Sequence, residues 1–139
     1  MVKRLAYMAT FLVTVCGAAS AQAGLEGNWV NVDSHTRSLA AINIHGRTMH
    51  PYGACGGDLC DWGSFRSKAG GNAAETSSIH AKMITSFSQN EMFVTLEQDG
   101  RLLVKVATHF TDGSGRQDYT STDYFRRSQE KDPREALAR

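Results

Sequence analysis

The chain has 139 residues, 41% hydrophobic and 21% charged, with a formal net charge of +1. That length suits one domain with a single core and is too short for two. So nearly neutral a charge offers no electrostatic basis for binding nucleic acid or an anionic membrane.

The chain opens on Met1-Val2-Lys3-Arg4, runs through an apolar stretch from Leu5 to Ala19, and closes that stretch in small residues, Ser20-Ala21-Gln22-Ala23. This is the order of a bacterial-type secretory signal peptide over residues 1–23, with cleavage after Ala21 or Ala23. The apolar stretch falls short of the about 20 residues of a spanning helix, so no membrane span is expected. A lipoprotein signal acylated at Cys16 is the competing reading, and Val15 stands where that site needs a small residue. Losing Lys3 and Arg4 leaves 13 basic against 14 acidic side chains, so the exported domain is still near neutral. The expected location is the periplasm or the exterior.

From Leu25 onward the chain reads as short alternating segments separated by turn residues, the pattern of an all-β sandwich or barrel. The first strand covers about Glu26 to Val32 and stops at Asp33-Ser34-His35, whose side chains favour a turn. Ser38 to His45 follows, with Ala40, Ile42 and Ile44 on one face, and Gly46-Arg47 turns it into Thr48 to Tyr52. Gly53 to Asp61 is a Gly-rich excursion, and Trp62 to Arg66 a fourth strand.

Ser67 to Ser78 is polar and turn-prone, a surface loop. His80 to Ser88 and Glu91 to Gln98 make the next pair, turning at Gln89-Asn90. Asp99-Gly100 is the clearest hairpin signal, and Arg101 to Thr111 directs Leu102, Val104, Val106, Thr108 and Phe110 inward. After the turn Asp112 to Gly115, Tyr119 to Arg127 is the last strand. The total of about eight strands in hairpin succession predicts an antiparallel up-and-down barrel over residues 24–128. Residues 129–139 form a charged tail expected to be flexible.

Gly27-Asn28-Trp29 in the first strand, with Arg126 and Arg127 at the end of the last, resembles the calycin superfamily of lipocalins, fatty-acid-binding proteins and avidins. The resemblance implies a barrel closed at one end by Trp29, with Arg126 lying across the indole and Gly27 permitting the sharp bend. It also implies a non-enzymatic module that takes a small, partly apolar ligand at the open end. The lining candidates are Phe87, Met92, Phe110 and Tyr124, because a barrel of about eight strands has room for its own side chains or one small ligand.

The segment Pro51 to Gly63 is the least strand-like and holds both cysteines of the exported domain, Cys55 and Cys60. An oxidising compartment makes their disulfide the expected state. His45 and His50 with the two cysteines also have the donor types of a zinc site, but an exported cysteine pair oxidises more readily than it waits for zinc. Neither metal nor other cofactor is therefore expected. Tyr52, Asp58, Asp61 and Trp62 around the staple form a candidate binding rim, against the plainer reading that the aspartates satisfy turn amides and Trp62 enters the core.

No sequence motif of a serine hydrolase, metalloprotease or phosphate loop is present, so an enzyme is not expected. The Ser114-Gly115 turn ahead of Tyr119 resembles the loop of periplasmic lysozyme inhibitors. That resemblance implies the alternative partner, an envelope protein such as a lysozyme-type hydrolase, engaged through the Gly113 to Gln117 turn or the Cys55 to Trp62 loop.

Overall fold

The computed structural model describes residues 24–68 and 77–137. Residues 1–23, where a signal segment with Cys16 in it is expected, and most of the Ser67 to Ser78 loop lie outside the described residues. Among the described residues nine antiparallel strands form one sheet: β1 (Gly27–Asn31), β2 (Leu39–His45), β3 (Thr48–Cys55), β4 (Asp58–Asp61), β5 (Phe65–Arg66), β6 (Ser78–Ile84), β7 (Ser88–Leu96), β8 (Leu102–Phe110) and β9 (Tyr119–Ser128). The order across the sheet is β4-β3-β2-β1-β9-β8-β7-β6, with β5 also on the outer edge of β3. Each neighbour is the next in sequence except where β1 meets β9, so the sheet is an up-and-down meander joined at its first and last strands. It curls into a half-barrel, with β5 on the outer edge of β3 lying next to β6 at the seam and Lys68 N–H donating to His80 O at 2.9 Å.

Alternation along the strands builds the core. Inward residues of every long strand contribute, among them Ile42 and Ile44 of β2, Met49 of β3, Met92 and Val94 of β7, Val104 and Val106 of β8, and Phe125 of β9. The excursion expected after Gly53 is ordered: it continues β3 to Cys55, reverses at Gly56-Gly57 and returns as β4, and the disulfide Cys55–Cys60 staples this hairpin. Both thiols that a zinc ion would need are therefore committed to each other. The turn placed at Gln89-Asn90 in fact falls at Thr85 to Phe87, because Ser88 and Asn90 continue the inward row of β7. The segment after Ser128 carries a short helix, α1 (Pro133–Leu137), whose Ala136 is buried against Val30 and Ala41 on the outer face of the sheet.

One end of the half-barrel is plugged. The Trp29 indole donates through Nε1 to Leu25 O at 2.9 Å, and a guanidinium lies 4.2 Å above its ring. That guanidinium belongs to Arg127, not Arg126. The register sets Trp29 opposite Arg127 and Val30 opposite Arg126, and a shift of one residue in a strand exchanges the two faces of the sheet, so Arg126 points outward. Arg127 also donates to the carbonyls of Glu26 and, at 3.0 Å, Gly24. Gly27 has φ +130°, and a Cβ there would stand 2.6 Å from Arg127 Nη1, so both the bend and the close approach require glycine. Among the described residues no helix is long and apolar enough to cross a membrane.

Candidate functional site

Antiparallel succession sends the loops Val32 to Ser38, Cys55 to Asp58, Thr85 to Phe87 and Thr111 to Asp118 out at the end away from Trp29. At this mouth a cavity of about 320 Å³ opens between Asp61 and Trp62 on one side and Met83, Thr85, Phe87, Ser88, Asn90, Thr108, Phe110 and Tyr119 on the other. Its size falls at the lower end of the about 300–1,000 Å³ typical of small-molecule sites.

The floor is polar and nearly dry. Thr108 Oγ1 donates to Asn90 Oδ1 at 2.7 Å, and Asn90 Nδ2 donates to Ser88 Oγ at 3.0 Å, which lies 3.0 Å from Thr85 Oγ1. Asn90 is only 8% exposed. A primary amide has two N–H donors and two acceptor lone pairs, and this chain uses one of each, so the floor can still offer hydrogen bonds in both senses to a bound group.

The rim is aromatic. Phe87 is 47% exposed, Phe110 tilts onto Tyr119 with ring centroids 6.1 Å apart, and the Arg116 guanidinium lies 3.9 Å over Phe110 and 5.6 Å from Phe87. Arg116 is held there by Asp112 at 2.6 Å and Ser114 Oγ at 2.9 Å. The hydroxyl and N–H of Ser114, then Arg116, hold the Asp112 carboxyl down to about 2. At the far end of the same loop, Asp118 accepts from Phe110 N–H at 3.0 Å and lies 2.6 Å from His109 Nδ1, and both contacts lower its pKa.

Asp61 forms the opposite lip. It accepts from Gly63 N–H at 2.7 Å and from His50 Nε2 at 2.5 Å, which lower its pKa in that order, and His50 Nδ1 lies 3.0 Å from Ser64 Oγ. Serine, histidine and aspartate thus meet in space though no sequence motif joins them. The nearby Gly63 amide is turned to Asp61, so it is not free to stabilise an oxyanion at Ser64, and Ser64 stands exposed outside the cavity. The group acts as a brace that fixes the Asp61 lip.

Of the residues singled out in the sequence, Asp61, Trp62, Phe87 and Phe110 come together at the mouth. Met92 is fully buried in the core and does not line the cavity. Tyr52 lies on the outer face, stacked on His50 and packed near Ala136, with its pKa raised by burial and then by Asp61. Asp58 accepts from Leu59 N–H and stands 3.6 Å from Arg134. Tyr124 also points outward, under the Arg101 guanidinium at 4.5 Å, because the inward row of β9 runs through Phe125 and Arg127. Sequence reasoning missed Met83, Thr85, Ser88, Asn90, Thr108 and Tyr119 as lining residues. The signal for Ser88 and Asn90 was the period-two row Ser88, Asn90, Met92, Val94, which a turn placed at Gln89-Asn90 cuts in two.

In comparisons with protein-family models, curated protein sequences and solved structures, none matches this chain.

Proposed function

We propose that the protein is an exported, non-enzymatic, calycin-like module that holds a small, partly apolar molecule at the mouth of its half-barrel. The observation that carries this reading is the mouth cavity itself: aromatic walls over a buried floor of Ser88, Asn90 and Thr108 that still has hydrogen-bonding capacity. Such a site suits a ligand with an apolar body and one polar group. Export is supported by the signal pattern of residues 1–23 and by the Cys55–Cys60 disulfide. The calycin reading is supported by Gly27, Trp29 and Arg127 at the plugged end.

Native mass spectrometry of the unreduced protein from its own exported fraction tests the proposal. A small non-covalent mass should co-purify, persist in Tyr124→Ala on the outer face, and be depleted in Phe110→Ala. Bare protein throughout, or equal depletion in both variants, would defeat it. The rim also favours a second reading, an envelope protein partner such as a lysozyme-type hydrolase. Arg116, fixed by Asp112 and Ser114, presents a preformed loop beside the exposed Phe87 and Tyr119, and bare protein in the same experiment would favour that reading.

A further inference from the structure

The inward row of β7 reads Ser88, Asn90, Met92 and Val94, so it turns polar only where it reaches the mouth. Thr108 stands opposite Asn90 on β8, and Ser88, Asn90 and Thr108 are 2%, 8% and 6% exposed. Methionine or valine at these places would simply continue the packed core. Asn90 instead gives one N–H to Ser88 and accepts one bond from Thr108, and among the described residues nothing meets its second N–H or its second lone pair. Buried polar groups are rarely left so, because an unmade hydrogen bond away from bulk water is costly. Water can meet both groups, and a ligand that displaces water keeps the gain only by supplying the same two bonds.

No free charge faces this floor. Asp61 alone among the lining residues is charged at neutral pH, and its carboxylate accepts from His50 Nε2 and Gly63 N–H. Tyr52 lies directly opposite Asp61 in the β3–β4 register, which sets that carboxylate on the outer face. On the rim, Arg116 is committed to Asp112. An anionic ligand thus finds no open cation, and a cationic one brings donors alone, leaving the spare Asn90 N–H unmet. The walls are rings, with Trp62 on one flank and Phe110, tilted on Tyr119, on the other. Rings gain from offset or edge-to-face contact beyond the area they bury, so these walls favour a planar aromatic body.

We infer that the mouth ligand is an uncharged aromatic carboxamide, with its ring between Trp62 and Phe110 and its amide edge to edge with Asn90. Ser88 and Thr108 carry their oxygens on Cβ, closer to the sheet than the Asn90 amide, so they meet that amide on its flanks and leave the edge turned into the cavity. A carboxamide sets an N–H beside a C=O at the same spacing as the asparagine does, and both bonds form together. A hydroxyl has one oxygen for both tasks and fits that edge less well.

This inference rests on the mouth as a small-molecule site and names the chemical class of its ligand. The probes are benzamide, acetophenone, benzyl alcohol, benzoate and benzamidine, which share a benzene ring and differ in the end group. Calorimetric titration of the unreduced protein should rank benzamide first. Acetophenone, which lacks the N–H, should bind about tenfold more weakly, the loss expected for one buried hydrogen bond left unmade. Benzyl alcohol should also fall below benzamide, and the two ions should bind most weakly. Benzamide should shift the side-chain NH2 resonances of Asn90, and Asn90→Leu should bring benzamide down to the level of acetophenone. If that variant does not fold, the ranking on the unaltered protein decides. Equal binding of benzamide with acetophenone or benzyl alcohol, an ion in first place, or binding by none of the five would overturn the inference. A co-purifying molecule without a carboxamide also overturns it and leaves the small-molecule reading standing, whereas bare protein that binds none of the five removes both.

Discussion

Two glycines act at the residue scale through what they leave room for. Gly53 has an ordinary backbone angle, yet a Cβ on it would overlap the Trp62 indole at Nε1, so the position is closed by a side chain and not by its backbone. Gly53→Ala should cost about 1–3 kcal/mol, the usual penalty for overpacking. Urea denaturation should show it, and Trp62→Leu in the same chain should recover much of the loss, because the two changes share one contact. Additive effects of the pair would refute this account. The sequence marked Gly53 only as the start of a Gly-rich excursion, since an inward indole nine places along the chain cannot be read from a glycine. Trp29 and Gly27 were legible because a tryptophan beside a glycine at a strand start carries its own geometry. Their arginine was placed one residue early, and in a strand one residue is the whole difference between inside and outside.

Among the elements, the β8–β9 loop is the most self-contained. Asp112 accepts from Ser114 N–H at 3.1 Å and pairs with Arg116, and Asp118 bonds back to Phe110 N–H, so the loop is tied at both ends by carboxylates. A carboxyl whose folded pKa is depressed stabilises the folded form above its ordinary value and loses that contribution as pH falls through the folded value. The loop should therefore be fully tied above its ordinary value of 3.8 and come loose as pH falls toward about 2. Ser114 and Arg116 amides should exchange with solvent much faster relative to the intrinsic rate at low pH than at neutral pH, and Asp112→Asn should show the faster exchange already at neutral pH. Unchanged protection on acidification would contradict it. The alternation of β8 was readable because Leu102 to Phe110 keeps period two without a break. β4 was not, since glycines and cysteines carry no strand pattern and its hairpin is set by the staple and by pairing with β3.

For the whole molecule, the antiparallel meander followed from strand spacing, whereas the seam did not. Whether a meander closes depends on curvature and on how the middle strands meet, and neither leaves a periodic trace. The interior away from the mouth is filled by side chains, with Phe125 at the junction of the two halves, paired across to Asn31 of β1 and Leu102 of β8. Phe125→Ala should cost about 3–5 kcal/mol in chemical denaturation, the range for deleting a buried ring without collapse of the site. A loss under about 1 kcal/mol would mean that the core closes over the void. The β1–β9 pairing also has a temporal consequence. The strand bearing Trp29 has one neighbour close behind it and the other about a hundred residues later, as the Arg127–Glu26 bond illustrates. A chain delivered from its amino end, by a ribosome or through a narrow pore, has nothing to set over the indole until its last strand arrives. Folding of the complete sheet must then wait for delivery to finish, and non-local closure of this kind is slow.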